Sequence, residues 1–117
     1  VRIGREFTFD AAHFLPNHPG KCKNMHGHTY RVIVEIDGMP DPETGMVMDF
    51  GDLSNLVHRY LISRVDHETL NNVFEFLPTA ENLAVKFVSI LAEALPRDVR
   101  LASVRLYETP DSYAEAP

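Results

Sequence analysis

His26-Gly27-His28-Thr29-Tyr30-Arg31-Val32-Ile33-Val34-Glu35-Ile36-Asp37 alternates in polarity. His26, His28, Tyr30, Val32, Val34 and Ile36 share one parity; Thr29, Arg31, Glu35 and Asp37 oppose them. Successive side chains of a strand point to opposite faces, so 26–37 reads as a half-buried strand with two imidazoles at the start of its apolar face. Residues 2–13 carry the same period, with Ile3, Phe7, Phe9, Ala11 and His13 set against Arg2, Glu6, Thr8 and Asp10. Between them, 14–25 reads as a loop broken by Pro16, Asn17, Pro19 and Gly20. Antiparallel pairing across that loop would bring His13 to the end of the sheet that carries His26 and His28.

Downstream, Asp41-Pro42-Glu43-Thr44-Gly45 has turn chemistry. A short strand is expected at 46–48. Asp49 or Asp52 can cap a helix with apolar positions Leu53, Leu56, Val57, Tyr60 and Leu61. Residues 65–73 read as irregular. Thr79 is the expected N-cap of a second helix, with Glu81 in its first turn. Leu83, Phe87, Ile90, Leu91, Ala94 and Leu95 form its stripe, and Pro96 ends it. Residues 100–108 are a strand with Ala102, Val104, Leu106 and Glu108 on one parity; the tail from Pro110 has no pattern. Grouped strands and helices predict an α+β fold, an antiparallel β-sheet with two helices packed on one face. The other face and the sheet edges would need partners, which oligomerisation supplies.

Bulk properties narrow the function. The 117 residues suit one domain, 1–117, at 44% hydrophobic and 24% charged. No apolar run approaches the roughly 20 residues of a membrane span, and no signal pattern opens the chain. A net charge of −6 argues against nucleic-acid binding. Cys22 is the only cysteine, which excludes an intrachain disulfide and fits a cytoplasmic location.

The candidate chemistry centres on histidine. Imidazole is the commonest protein ligand of zinc, and three of them leave a fourth position open for catalysis. His13, His26 and His28 are therefore the candidate Zn2+ ligands. Cys22, flanked by Lys21 and Lys23, is a thiolate candidate, since neighbouring ammonium groups stabilise the anion. It could equally be an ordinary thiol or a fourth zinc ligand. Asp66-His67 offers a carboxylate beside an imidazole, or simply a polar turn between helices. Glu108 reads as a strand end, or as an anchor for paired N–H donors.

The chain resembles the 6-pyruvoyl-tetrahydropterin synthase family over nearly its whole length. The resemblance lies in Phe9-Asp10-Ala11-Ala12-His13, Cys22-x3-His26-Gly27-His28, Gly45 to Asp49-Phe50, Asp66-His67 with Leu70-Asn71, Pro78-Thr79-Ala80-Glu81-Asn82, and Tyr107-Glu108-Thr109. It implies the tunnelling fold, in which sheets of neighbouring subunits join into a barrel. It implies a homo-oligomer built on trimers and commonly hexameric, with active sites between subunits.

Within that family the resemblance runs most strongly to the carboxy-synthase branch of queuosine (7-deazaguanine) biosynthesis. It implies zinc on His13, His26 and His28, Cys22 as the proton-abstracting residue, His67 and Asp66 as its assistants, and Glu108 as pterin anchor and relay member. Thr79, Lys21 and Lys23 are candidate substrate contacts. The implied substrate is 7,8-dihydroneopterin triphosphate, and the implied products are 6-carboxytetrahydropterin, acetaldehyde and triphosphate. The alternatives are the pyruvoyl-synthase reaction, which breaks no carbon–carbon bond, and a non-catalytic zinc- or pterin-binding role. Some relatives carry glutamate in place of the cysteine, and Cys22 counts against their reaction.

Overall fold

The computed structural model describes residues 1–117. The two alternating stretches are strands β1 (Arg2–His13) and β2 (His26–Asp37). They pair antiparallel over their full length, from Arg2 opposite Asp37 to His13 opposite His26. That register carries the three histidines to one end of the sheet.

Beyond β2, the Asp41 carboxylate accepts from the amides of Glu43 (2.8 Å) and Thr44 (3.2 Å). Gly45 closes the turn at φ +75°, a conformation open to glycine. Residues 46–48 are not a strand: they form a bend after this turn, lacking a sheet neighbour to bond with. Asp49 caps helix α1 (Phe50–Val57), accepting from Asp52 N–H. The helix continues through a π-turn, His58–Ile62, into the short α2 (Ser63–Val65). The wider turn shifts the buried face, so Leu61 and Ile62 are both buried while Tyr60 faces solvent.

Residues 65–73 are more regular than their sequence suggests. Glu68–Thr69 (β3) adds to the edge of β1 in parallel, opposite Ala11 and Ala12, and Leu70–Val73 forms α3. Helix α4 (Ala80–Ala94) starts where Thr79 Oγ1 accepts from Asn82 N–H, at 3.1 Å. Its fully buried residues are Leu83, Ala84, Phe87 and Leu91, with Ile90, Ala94 and Leu95 at the margin.

Strand β4 (Arg100–Thr109) pairs antiparallel with β2. The tail is not patternless, because Ser112–Ala116 forms β5 on the far edge of β4. Its sequence is short and carries mostly small side chains. Its stabilising contacts are cross-strand ones that no local period reports: Arg105 with Glu115 at 2.8 Å, and Tyr107 with Tyr113 at 5.0 Å between ring centroids.

The sheet order is β3-β1-β2-β4-β5. One face buries Phe7, Phe9, Tyr30, Val32, Val34, Ile36, Val104 and Leu106 against Leu53, Val57, Leu61, Leu83, Phe87 and Leu91 from the helices. The opposite face is polar and has no helix over it. There Arg31 bonds Glu6 at 2.8 Å and lies 3.8 Å above the Tyr107 ring, and Ser103 donates to Glu35.

Candidate metal centre

Strand parity and register set the site. His13 leaves the end of β1 on the core face, and His26 and His28 leave the start of β2 on the same face. Their ring centroids are 4.6, 4.8 and 5.1 Å apart. One nitrogen from each lies within 4.8 Å of the other two.

Two of the rings are held in a defined tautomer. His13 Nδ1–H donates to the Pro78 carbonyl at 2.8 Å, and His26 Nδ1–H donates to the Asn24 carbonyl at 2.7 Å. Each bond leaves the Nε2 lone pair free, the usual arrangement behind a metal-bound histidine. The Nε2 atoms of His13 and His28 are buried with no hydrogen-bond partner. Burying such atoms unpaired is costly, and a cation placed among them would satisfy both. The group can hold a metal ion, and its all-nitrogen donor set suits a borderline divalent cation.

Glu108, near the end of β4, faces this cluster. Its Oε1 lies 3.2 Å from His13 Nε2 and 3.6 Å from His28 Nε2, outside hydrogen-bond geometry but close enough to favour a cation or a proton between them. Burial pushes the His13 pKa down, but Glu108 and the Pro78 carbonyl outweigh it and leave the value raised. Burial also leads for His28, where the neighbouring imidazoles add to it and the net direction is down. His13 foremost holds the Glu108 carboxyl below the usual range. Burial, then the charge of Glu108, push the Tyr30 hydroxyl up.

Cys22 sits in a single 3-10 turn, Lys21–Lys23, half-buried and free. The ligand cluster contains the three imidazoles and not its thiol, so the geometry does not offer a closed four-ligand site. Lys21 and Lys23 are exposed. Thr79 spends its oxygen on the α4 cap, beside the Pro78 carbonyl that orients His13.

Asp66 and His67 form a second group on the outer edge of β1. His67 Nδ1 lies 3.0 Å from Asp66 Oδ1, and its ring is largely exposed. Asp66 also accepts from Asp10 N–H at 3.0 Å, and this bond leads in holding its carboxyl below the usual range, with His67 adding. His67 has φ +61°, and its N–H donates to the Asp10 carbonyl at 2.6 Å. An open groove of about 460 Å³ is lined by His28 on one side and His67 and Glu68 on the other. A neighbouring groove of about 470 Å³ is lined by His28, Arg31 and Glu108. Cys22 lines neither groove.

Sequence reasoning missed the backbone carbonyls of Pro78 and Asn24, which no side-chain pattern signals. It also missed any role for Asp10 and Asn71, although both lie within the motifs that carried the resemblance.

The fold and site define an α+β protein with a group of three histidines, able to hold a metal ion, at one end of its sheet. The 6-pyruvoyl tetrahydropterin synthase family profile matches residues 2–117, and the chain belongs to that family. A 6-carboxy-5,6,7,8-tetrahydropterin synthase from Synechocystis is 41% identical over 118 residues, covering 96% of this chain and 89% of the relative. One from Haemophilus influenzae is 35% identical over 140 residues, covering 97% of this chain and 96% of the relative. The structure of Caenorhabditis elegans 6-pyruvoyl tetrahydropterin synthase superposes with a TM-score of 0.89 at 30% identity, covering 99% of this chain and 94% of that one.

Proposed function

We propose that this chain is a zinc-dependent 6-carboxy-5,6,7,8-tetrahydropterin synthase, a carbon–carbon lyase acting on 7,8-dihydroneopterin triphosphate in queuosine biosynthesis. The observation that carries the reading is the pair of buried, unpartnered Nε2 atoms on His13 and His28, converging with His26 beside Glu108. The similarity to carboxy-synthases over nearly the whole chain supports the choice of reaction.

His13, His26 and His28 would hold zinc, which when bound supplies a Lewis acid that acidifies substrate hydroxyls and the C–H bonds beside them. Glu108 accepts the paired N–H donors of the pterin in bidentate fashion and orients the ring. Cys22, as thiolate, takes the proton from the substrate side chain. The Asp66 carboxylate, 3.0 Å from His67 Nδ1, favours the proton on that nitrogen and leaves Nε2 to exchange a proton with substrate. Lys21, Lys23 and Thr79 are assigned to substrate binding, with the two ammonium groups suited to the triphosphate.

The same reading makes residues 1–117 a single tunnelling-fold domain in a trimer-based homo-oligomer, with a hexamer as the expected assembly and sites between subunits. The bare polar sheet face supports it, as does the groove shared by His28 and His67, whose lining does not include Cys22. The lone free cysteine supports a cytoplasmic setting.

The test is a product assay on zinc-loaded protein with 7,8-dihydroneopterin triphosphate. The expected outcome is 6-carboxytetrahydropterin together with acetaldehyde. The pyruvoyl compound without acetaldehyde would move the chain to the sister reaction and leave the metal ligands standing. No turnover would overturn the catalytic reading.

A further inference from the structure

The segment from Asp66 to Pro78 is stitched along the edge of β1. Asp10 bonds Asp66 and His67 through its own N–H and carbonyl. Ala11 and Ala12 pair with Glu68 and Thr69, and the Pro78 carbonyl takes the His13 ring N–H. Asn71, in α3, lies between the last two ties. Its Oδ1 accepts from Phe14 N–H at 3.0 Å, and its Nδ2 donates to the Phe14 carbonyl at 2.9 Å.

Phe14 is the residue after His13, where the ladder between β1 and β2 has ended. One partly buried side-chain amide therefore satisfies both backbone groups of a residue that has lost its strand partner. A carboxamide presents donor and acceptor in one rigid plane, so the two bonds together fix where the backbone leaves His13. They also fix α3, which begins three residues beyond His67, against that backbone.

We propose that Asn71 is a positioning residue that holds His13 and the Asp66–His67 pair in fixed relation to each other. The inference deepens the proposed function and rests on its assignment of a metal to the three histidines. Asn71 touches neither metal ligand nor acid–base pair; it acts through the Phe14 backbone on one side and α3 on the other. Groups bonded directly to a metal ligand change metal affinity about 10- to 100-fold when removed, and Asn71, one backbone step further out, belongs at the lower end of that range.

The experiment compares wild type, Asn71→Ala, Asn71→Asp and Val73→Ala by zinc affinity in chelator competition, kcat, KM and thermal midpoint. Val73 is on the same short helix and packs against the core without contributing to the clamp. Asn71→Ala is expected to weaken zinc binding about 10-fold and to lower kcat more than it raises KM. Asn71→Asp keeps the acceptor for Phe14 N–H and should recover part of the loss. Val73→Ala should lower the midpoint while zinc affinity stays at the wild-type value. Zinc affinity and kcat of Asn71→Ala within twofold of wild type would overturn the inference alone. An equal loss of zinc in Val73→Ala would overturn it too, by reducing Asn71 to general stability. Wild-type protein with no zinc affinity would overturn both the inference and the proposed function.

Discussion

His67 carries the only positive φ outside glycine, at +61°. Such a conformation costs on the order of 1–3 kcal/mol and survives where neighbours over-determine it, here the Asp10 carbonyl and the Asp66 carboxylate. The histidines of the metal centre divide the other way, since their positions follow from strand parity alone. Replacing His28 with Ala is expected to strip the metal, and a full zinc complement by elemental analysis would show the ligand set to be wrong. Cys22→Ser should keep zinc and fold while kcat falls at least about 100-fold. Zinc loss in that variant would instead make Cys22 a ligand, against the geometry. Glu108→Gln should raise KM for the pterin with zinc content unchanged. At this scale the convergence of the three imidazoles was legible, because His26 and His28 share a parity and antiparallel pairing brings His13 to the same end. The strained backbone of His67 was not, because nothing in its local sequence demands a positive φ.

Helix α4 shows which elements a periodic sequence specifies. Thr79, Glu81 and the stripe from Leu83 to Leu91 signal its start and buried face, and the structure matches them. Removing the cap with Thr79→Ala should cost about 1 kcal/mol in urea unfolding, and emptying the core with Phe87→Ala about 3–5 kcal/mol. If Thr79→Ala instead left stability unchanged and raised KM, its hydroxyl would belong to the substrate and not to the cap. Strands β3 and β5 escaped the sequence for a common reason. Two and five residues are too few to display a period, and each is held by the strand it joins. The π-turn at His58–Ile62 likewise follows from packing, as the helix face is re-aimed to bury both Leu61 and Ile62.

Across the whole molecule, the helices cover only one side of the sheet. The radius of gyration is 15.2 Å, against about 13 Å for a compact chain of this length. Sedimentation of the purified protein is expected to show a trimer-based assembly; a monomer at micromolar concentration would remove the intersubunit site from the proposal. The end of the sheet remote from the histidines is closed by Asp37, which accepts from Arg2 at 2.7 and 3.0 Å and from Arg100 at 2.6 Å. Arg2 foremost holds the Asp37 carboxyl below the usual range. With the folded pKa depressed, this contribution is full above the unfolded value of ~3.9 and is lost as pH falls through the folded one. Asp37→Asn should therefore flatten the acid side of the urea-midpoint profile, and more so at low salt. An unchanged profile would show the pairs to be fully screened.

The sequence alone determined the two long strands, the face each presents, and the end of the sheet where His13, His26 and His28 gather, because alternation sets the face and one antiparallel loop sets the end. A register slipped by two residues would bury the same parity, and the pairing of His13 with His26 belongs to the structure. Only the tertiary structure decided that the Pro78 carbonyl orients His13 from 65 positions away, that Asn71 clamps Phe14 from 57, and that Asp10 holds Asp66 from 56. Those contacts join segments that share no period. Their geometry exists only once the hydrophobic face of the sheet has drawn the helices, and the connections between them, onto one side.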